Sequence, residues 1–196
     1  MSGGARCDLH CHYLPGIDDG VCSVDEGLAL CRGLSALGFG TVVATPHMRP
    51  GMFDNDKQQL TTAYVGFTER ARNEPGLPEL GLAAEHFYDD VVLSRIGRGE
   101  ALPYPGGHAL LLEFPPERLP LGLVEQFFRM QVRGLRPVIA HPERYSPIWK
   151  SSEALRELVE RGALALLDVM ALGGKYGRKP QRIAEQLLDD ELYFAA

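Results

Sequence analysis

No apolar run in this sequence is long enough to span a bilayer: the longest, Ala163 to Leu172, is interrupted by Asp168 and reads as a buried strand. The first fifteen residues lack the apolar core of an export signal because Arg6, Asp8, His10 and His12 interrupt them, so a cytoplasmic setting without membrane insertion is expected. An excess of basic charge is also missing. A net charge of −6 disfavours wholesale binding to nucleic acid or anionic membrane, which needs a basic surface that releases counterions. Cysteine is scarce: Cys7, Cys11, Cys22 and Cys31 all fall in the first 31 residues with no Cys-x-x-Cys spacing, which argues for reduced thiols and against a structural zinc knuckle. A cysteine-dependent phosphatase is excluded, since the position six residues after each cysteine holds Tyr13, Ile17, Leu28 or Leu37 where that mechanism needs arginine. A Gly-x-Ser-x-Gly elbow is absent, and no Gly-x-Gly-x-x-Gly follows the first strand-like run.

What is present is an ordinary globular composition, 45% apolar and 23% charged over 196 residues, enough for one well-buried domain spanning 1-196. Strand-like runs at Arg6–His12, Thr41–Thr45, Gly81–Glu85, Ala109–Phe114, Arg136–His141, Ala163–Val169 and Glu191–Ala196 alternate with helix-like stretches. The helices are expected at about Asp25–Leu37, Lys57–Asn73, Leu121–Arg133, Ser152–Arg161 and Gln181–Asp189. Ser23 with Glu26 three residues on reads as a capping box for the first of them. Such alternation implies an α/β fold with a parallel sheet, and without a nucleotide-binding turn the closed (β/α) barrel is favoured over the doubly wound sheet. Two extended loops, Met48–Asp56 and Phe87–Gly107, follow strand ends and are expected to line the barrel mouth.

The chemistry-bearing residues fall at those strand ends. His10 and His12, spaced i, i+2, project to one side of a strand roughly 6.5 Å apart, while Cys7, Leu9 and Cys11 face the other. Alone, His-x-His is weakly specific. Yet His47 follows the second run, Glu85 and Glu113 the third and fourth, and His141 the fifth; ionisable groups at the ends of buried strands are costly unless paired or metal-bound. Imidazoles with carboxylates and no thiolates suit Mn²⁺, Zn²⁺ or Fe. Two or three such cations close together can generate hydroxide at neutral pH and clamp both oxygens of a phosphoryl transfer.

Arg144, three residues beyond His141, supplies a planar fork for phosphate oxygens, its competing reading being a surface salt bridge with Glu143. Arg49 and the cluster Lys175, Arg178 and Lys179 are weaker candidates for drawing in an anionic substrate, the bland alternative being solvated surface. Asp18 of Asp18-Asp-Gly20 reads as an Asx-type turn residue. His86 and His108 read as loop or core histidines, and Asp168 as a packed polar group inside its strand.

Asp8-Leu-His-Cys-His12, Leu14-Pro-Gly-Ile-Asp-Asp-Gly20, Thr45-Pro-His47 with Gly51-Met-Phe53, Ala84-Glu85, Leu112-Glu113 and Ile139-Ala-His-Pro-Glu-Arg-Tyr145 occur in order along nearly the whole chain. This series resembles the PHP-domain protein tyrosine phosphatases of bacterial capsule and exopolysaccharide systems. The resemblance implies a distorted seven-stranded (β/α) barrel and a site of up to three ions, commonly manganese, that hydrolyses phosphotyrosine on a cognate tyrosine kinase. It implies that His10 and His12 bind one metal and that Glu85 bridges it to a second, held also by Glu113 and His141. Asp19 and His47 would bind a third, and Arg144 would take the substrate phosphate.

A further Asp-x-His that the family carries after its last strand has no counterpart before Ala196, so the first and third metals are each expected to lack one protein ligand. Two other readings follow: a truncated or degenerate domain with reduced metal binding that acts as a kinase-binding module, and a phosphatase of a small ester such as histidinol phosphate.

Overall fold

The computed structural model describes residues 6–195, which form two compact units dividing at Gly106. In the first unit, β1 (Arg6–Cys11), β2 (Phe39–Ala44) and β4 (Glu79–Leu82) make a parallel sheet in the order β1-β2-β4. A second parallel pair is formed by the short strands β3 (His47–Met48) and β5 (Glu85–Phe87). The helices are α1 (Val24–Ala36), α2 (Lys57–Ala71) and α3 (Asp90–Gly97). In the second unit, β6 (Ala109–Glu113), β7 (Arg136–Ala140) and β8 (Leu164–Leu166) pair in parallel, with α4 (Leu123–Val132), α5 (Glu153–Glu160), α6 (Val169–Leu172) and α7 (Arg178–Asp189). The fold is therefore mixed α/β with parallel sheets, as the alternation of runs implies.

Several individual elements differ from expectation. The loop placed at Phe87–Gly107 contains α3, an eight-residue helix capped by Asp89, whose side chain accepts from Val92 N at 2.7 Å. The loop at Met48–Asp56 is partly a hairpin in which Arg49 and Phe53 exchange backbone hydrogen bonds of 3.1 and 2.8 Å. The run at Ala163–Val169 stops as a strand at Leu166, and Asp168 is the N-cap of α6 instead of a strand residue, accepting from Met170 N at 2.9 Å. The expected last strand reduces to one parallel bridge, Leu166 to Ala195; Ala196 lies outside the described residues. At Ser23 only half the capping box forms: the Ser23 side chain accepts from Glu26 N, but Glu26 reaches back to Cys22 N. The reciprocal box belongs to α2, between Asp56 and Gln59. Among the described residues no helix is long and apolar enough to cross a membrane.

The core of the first unit explains how the end of β1 is held. Cys11, Tyr13, Leu14, Leu28, Cys31 and Phe67 are buried together, so the Cys11 thiol faces the helices while His10 and His12 face away, as the alternation requires. Tyr13 donates its hydroxyl to Gly81 O at 2.7 Å and packs on Phe67 with ring centroids 5.2 Å apart. Gly27 of α1 is the contact point: a Cβ there would lie 2.5 Å from Tyr13 O and 2.7 Å from Phe67 Cε2. Burial pushes the thiols of Cys11 and Cys31 above their ordinary range, which keeps them protonated and unreactive.

In the second unit Phe114 packs against Phe127 and, edge-on, against Tyr145. The Tyr145 hydroxyl donates to Ala140 O at 2.8 Å and accepts from Phe114 N at 3.1 Å, pinning the C-terminal ends of β6 and β7 to one side chain.

Two glycines of α1 give a paired test. Gly27→Ala is expected to cost about 1–3 kcal/mol by overpacking. Gly33→Ala, where a Cβ meets nothing within 4 Å, is expected to stabilise by about 0.5–1 kcal/mol. Urea denaturation of both variants checks the opposite signs.

Candidate metal centre

β1 ends at Cys11, so His10 is its penultimate residue and His12 the first beyond it. The β3–β5 register sets His47 directly beside Glu85. The result is a convergence on one atom: Glu85 Oε2 lies 3.1 Å from His10 Nε2, 3.6 Å from His12 Nε2 and 3.2 Å from His47 Nδ1. Glu85 is 1% exposed. Asp19 reaches the same group from the exposed side, its Oδ1 3.4 Å from His47 Nε2. Thus five of the sequence-predicted ligands meet in the first unit: His10, His12 and Glu85 form one ligand-competent triad, and His12, Asp19 and His47 another.

Asp18 proves to be more than a turn residue. One carboxylate oxygen accepts from Gly20 N at 3.0 Å, closing the Asx turn that the sequence suggests. The other lies 2.7 Å from His12 Nδ1 and accepts from His47 N at 3.1 Å. A carboxylate on the far nitrogen of an imidazole fixes the ring's orientation and directs its other nitrogen inward, the usual support for a metal-binding histidine. Two further supports were invisible in the sequence spacing: Phe53 stacks on His47 at 5.2 Å, and the Asn55 amide donates to both Ile17 O and His47 O at 2.9 Å. Gly20 permits the approach, since a Cβ there would fall 2.3 Å from His12 O.

The electrostatics divide the histidines. Burial opposes charge on His12, but hydrogen bonds to Asp18 and Glu85 outweigh it and lift the imidazole to about 10. Asp18 is held below the ordinary carboxylate range: burial works against this, and the hydrogen bond and charge of His12 prevail. Burial lowers His47. Donor atoms bound at about 2.0–2.2 Å around one ion sit roughly 3 Å apart, so the nitrogen-to-oxygen separations here suit a cation, and the nitrogen and oxygen donors fit a borderline divalent metal.

The second unit carries the remaining candidates. Glu113 is the last residue of β6 and is buried. His141 follows β7 in a left-handed conformation, φ 33° and ψ 58°, with its N–H donated to Leu166 O at 2.8 Å. Such a backbone is uncommon outside glycine and is maintained by the surrounding contacts. A 3-10 turn, Pro142–Arg144, comes next.

The salt bridge weighed for Arg144 does not form. Glu143 is instead fully buried, accepting from Asp168 N at 3.0 Å and from the Tyr193 hydroxyl at 2.8 Å, and burial pushes its carboxyl up to about 7 against the pull of those bonds. Arg144 lies with its guanidinium carbon 4.6 Å above the ring of Tyr176. Arg49, in the first unit, stacks 4.1 Å above Phe87. His86 is buried and accepts from Leu102 N, and His108 is exposed; neither joins the cluster.

A parallel α/β fold with histidines and carboxylates gathered at its strand ends defines a class, that of α/β proteins with a candidate metal centre. More particularly, the chain belongs to the family described as capsular polysaccharide synthesis, CpsB/CapC, whose model matches residues 6–195. It is 29% identical over 187 residues to the tyrosine-protein phosphatase YwqE of Bacillus subtilis (strain 168), covering 94% of this chain and 73% of that protein. It is 28% identical over 189 residues to the putative tyrosine-protein phosphatase CapC of Staphylococcus aureus, covering 94% and 72%. Among solved structures, those of YwqE from Bacillus subtilis and CpsB from Streptococcus pneumoniae, described as unique metal-dependent tyrosine phosphatases, give a match with a TM-score of 0.89 and 28% identity. That match covers 97% of this chain and 78% of the other.

With His12 protonated up to about 10 in the metal-free protein, a cation binding at neutral pH must displace a proton. Uptake of Mn²⁺ is therefore expected to tighten as pH rises from 6 to 9 and to release protons, read by calorimetry in buffers of different ionisation enthalpy. Asp18→Asn should weaken that binding by about 10–100-fold.

Proposed function

We propose that this chain is a metal-dependent protein tyrosine phosphatase acting in capsule or exopolysaccharide synthesis, in the cytoplasm, on phosphotyrosine carried by a bacterial tyrosine kinase. The observation that carries the reading is the single buried carboxylate oxygen of Glu85 facing three imidazole nitrogens within 3.6 Å. Family membership and the activities named for the relatives give it its direction. On this reading residues 1-196 are one PHP-like metallophosphatase domain, and its fold is the distorted seven-stranded (β/α) barrel of that type.

The metal-binding residues are then His10, His12, Asp19, His47 and Glu85, together with Glu113 and His141 by motif and strand-end position. Mn²⁺ is the ion we assign to them, with Zn²⁺ or Fe as substitutes. When bound, such ions supply a hydroxide at neutral pH and neutralise the charge of the phosphoryl group in flight. The chain's own side chains do the rest. Asp18 holds the His12 ring in one orientation, and Phe53 and Asn55 hold His47.

Arg144 grips the non-bridging phosphate oxygens through its planar fork, a geometry that lysine cannot reproduce. Tyr176 beneath it limits the rotamers the guanidinium can take. Arg49, stacked on Phe87, adds a second cation for the substrate.

Turnover of a phosphotyrosine peptide is expected with added Mn²⁺, to be abolished by a chelator and to fall roughly 100-fold or more in His141→Ala. Chelator-resistant turnover would overturn the metal mechanism. A higher kcat/KM on histidinol phosphate than on the peptide would reassign the substrate.

A further inference from the structure

The segment after α6 is the most basic stretch of an otherwise acidic chain. Residues 169–184 carry Lys175, Arg178, Lys179 and Arg182 with no carboxylate, against a net charge of −6 for the whole sequence. Two of these cations lie over aromatic rings. Lys179 Nζ sits 5.0 Å from the ring centre of Trp149, and Lys175 Nζ lies 5.9 Å from that of Tyr176, the ring that also carries Arg144. Trp149 is anchored in turn, donating its indole N–H to Glu143 O at 2.7 Å. Burial and the neighbouring Asp168 carboxylate raise the Tyr176 hydroxyl to about 12.

α7 packs against the turn that bears Arg144, and the Tyr176 ring carries both Arg144 and Lys175, so the basic stretch adjoins the candidate phosphate arginine. Of the nearby carboxylates, Asp168 accepts from Met170 N at 2.9 Å, and Glu143 is buried and bonded to Asp168 N and the Tyr193 hydroxyl. Lys175, Arg178 and Lys179 are exposed, and none has a carboxylate partner among the described residues. Lys179 and Lys175 thus lie over aromatic rings, and Arg178 beside them is open to solvent, all three without a carboxylate partner among the described residues. That arrangement lowers the entropic cost of meeting an anion.

We infer that Lys175, Arg178 and Lys179 form a docking face for acidic residues flanking the phosphotyrosine, so that the preferred substrate is a phosphotyrosine in a carboxylate-rich segment. This inference rests on the assignment of Arg144 to the substrate phosphate. Electrostatic recognition of this kind acts mainly through encounter and KM, and it weakens as salt shortens the range of the field.

The test compares two phosphotyrosine peptides of equal length, one with glutamates on both sides of the tyrosine and one with glutamines there, as substrates of the purified 196-residue chain with Mn²⁺. At low salt kcat/KM is expected to favour the glutamate peptide about tenfold, through KM, and the ratio to approach one in 0.5 M salt. In the Lys175→Glu/Lys179→Glu double variant the preference should vanish or invert, and in Lys175→Gln/Lys179→Gln it should shrink part-way. Lys57→Glu/Arg70→Glu, an equal change of charge at two exposed positions of α2 in the first unit, should leave the ratio as it is. Fluorescence anisotropy of the same labelled peptides reads docking without turnover. Selective binding of the glutamate peptide without hydrolysis would uphold the docking face while sinking the phosphatase reading. Equal handling of the two peptides, or a preference that survives the double charge reversal, overturns the inference.

Discussion

A carboxylate buried at Glu85 must be matched by positive charge, and much of the first unit is organised around meeting that demand. Three imidazoles approach one of its oxygens, and they arrive from the end of β1 and from β3. Removing the group from water without compensation would cost several kcal/mol, so the ring positions cannot be left to side-chain rotation alone. Each ring has a separate constraint. His12 is set by Asp18, His47 by the plane of Phe53 and a backbone clipped by Asn55, and His10 by a backbone N–H bonded to Asp8. The hydrophobic cluster on the other side of β1 serves the same end, because Tyr13 and Phe67 fix the height at which the strand stops.

The second unit solves a related problem with an arginine. Arg144 is held between a ring below it and a rigid turn behind it, and the turn owes its shape to a neighbouring side chain that never reaches solvent. Glu143 ties Asp168 and Tyr193 to that turn, and the ring of Tyr176 lies beneath Arg144. The tied turn and the ring together restrict a guanidinium that has several rotatable bonds.

How much of this was legible in the sequence depended on the range of the interaction. The strand ends could be read, because apolar runs that finish in His47, Glu85, Glu113 or His141 leave a charge where burial is expensive. The opposed faces of β1 could be read from its alternation. The strands β3 and β5 could not, being two and three residues long and defined only by their pairing with each other. Helix α3 lay inside what reads as loop, because its eight residues give barely two turns of periodicity. Asp18 was legible as a turn residue and illegible as the partner of His12, since local chemistry shows in a tripeptide and a contact with the preceding strand end does not. The place of Glu143 is illegible for the same reason: adjacency to Arg144 suggests a pair, while burial among distant residues decides the matter.

The only tryptophan in the sequence is Trp149, and its indole is bonded to the carbonyl of the residue before Arg144 while an ammonium group lies over its face. Indole emission is sensitive to both kinds of contact. The molecule therefore contains its own optical probe at the turn that presents the arginine, uncontaminated by any second tryptophan. Events at that turn, whether an anion arriving or the lysine being drawn away, are open to observation in solution without a label.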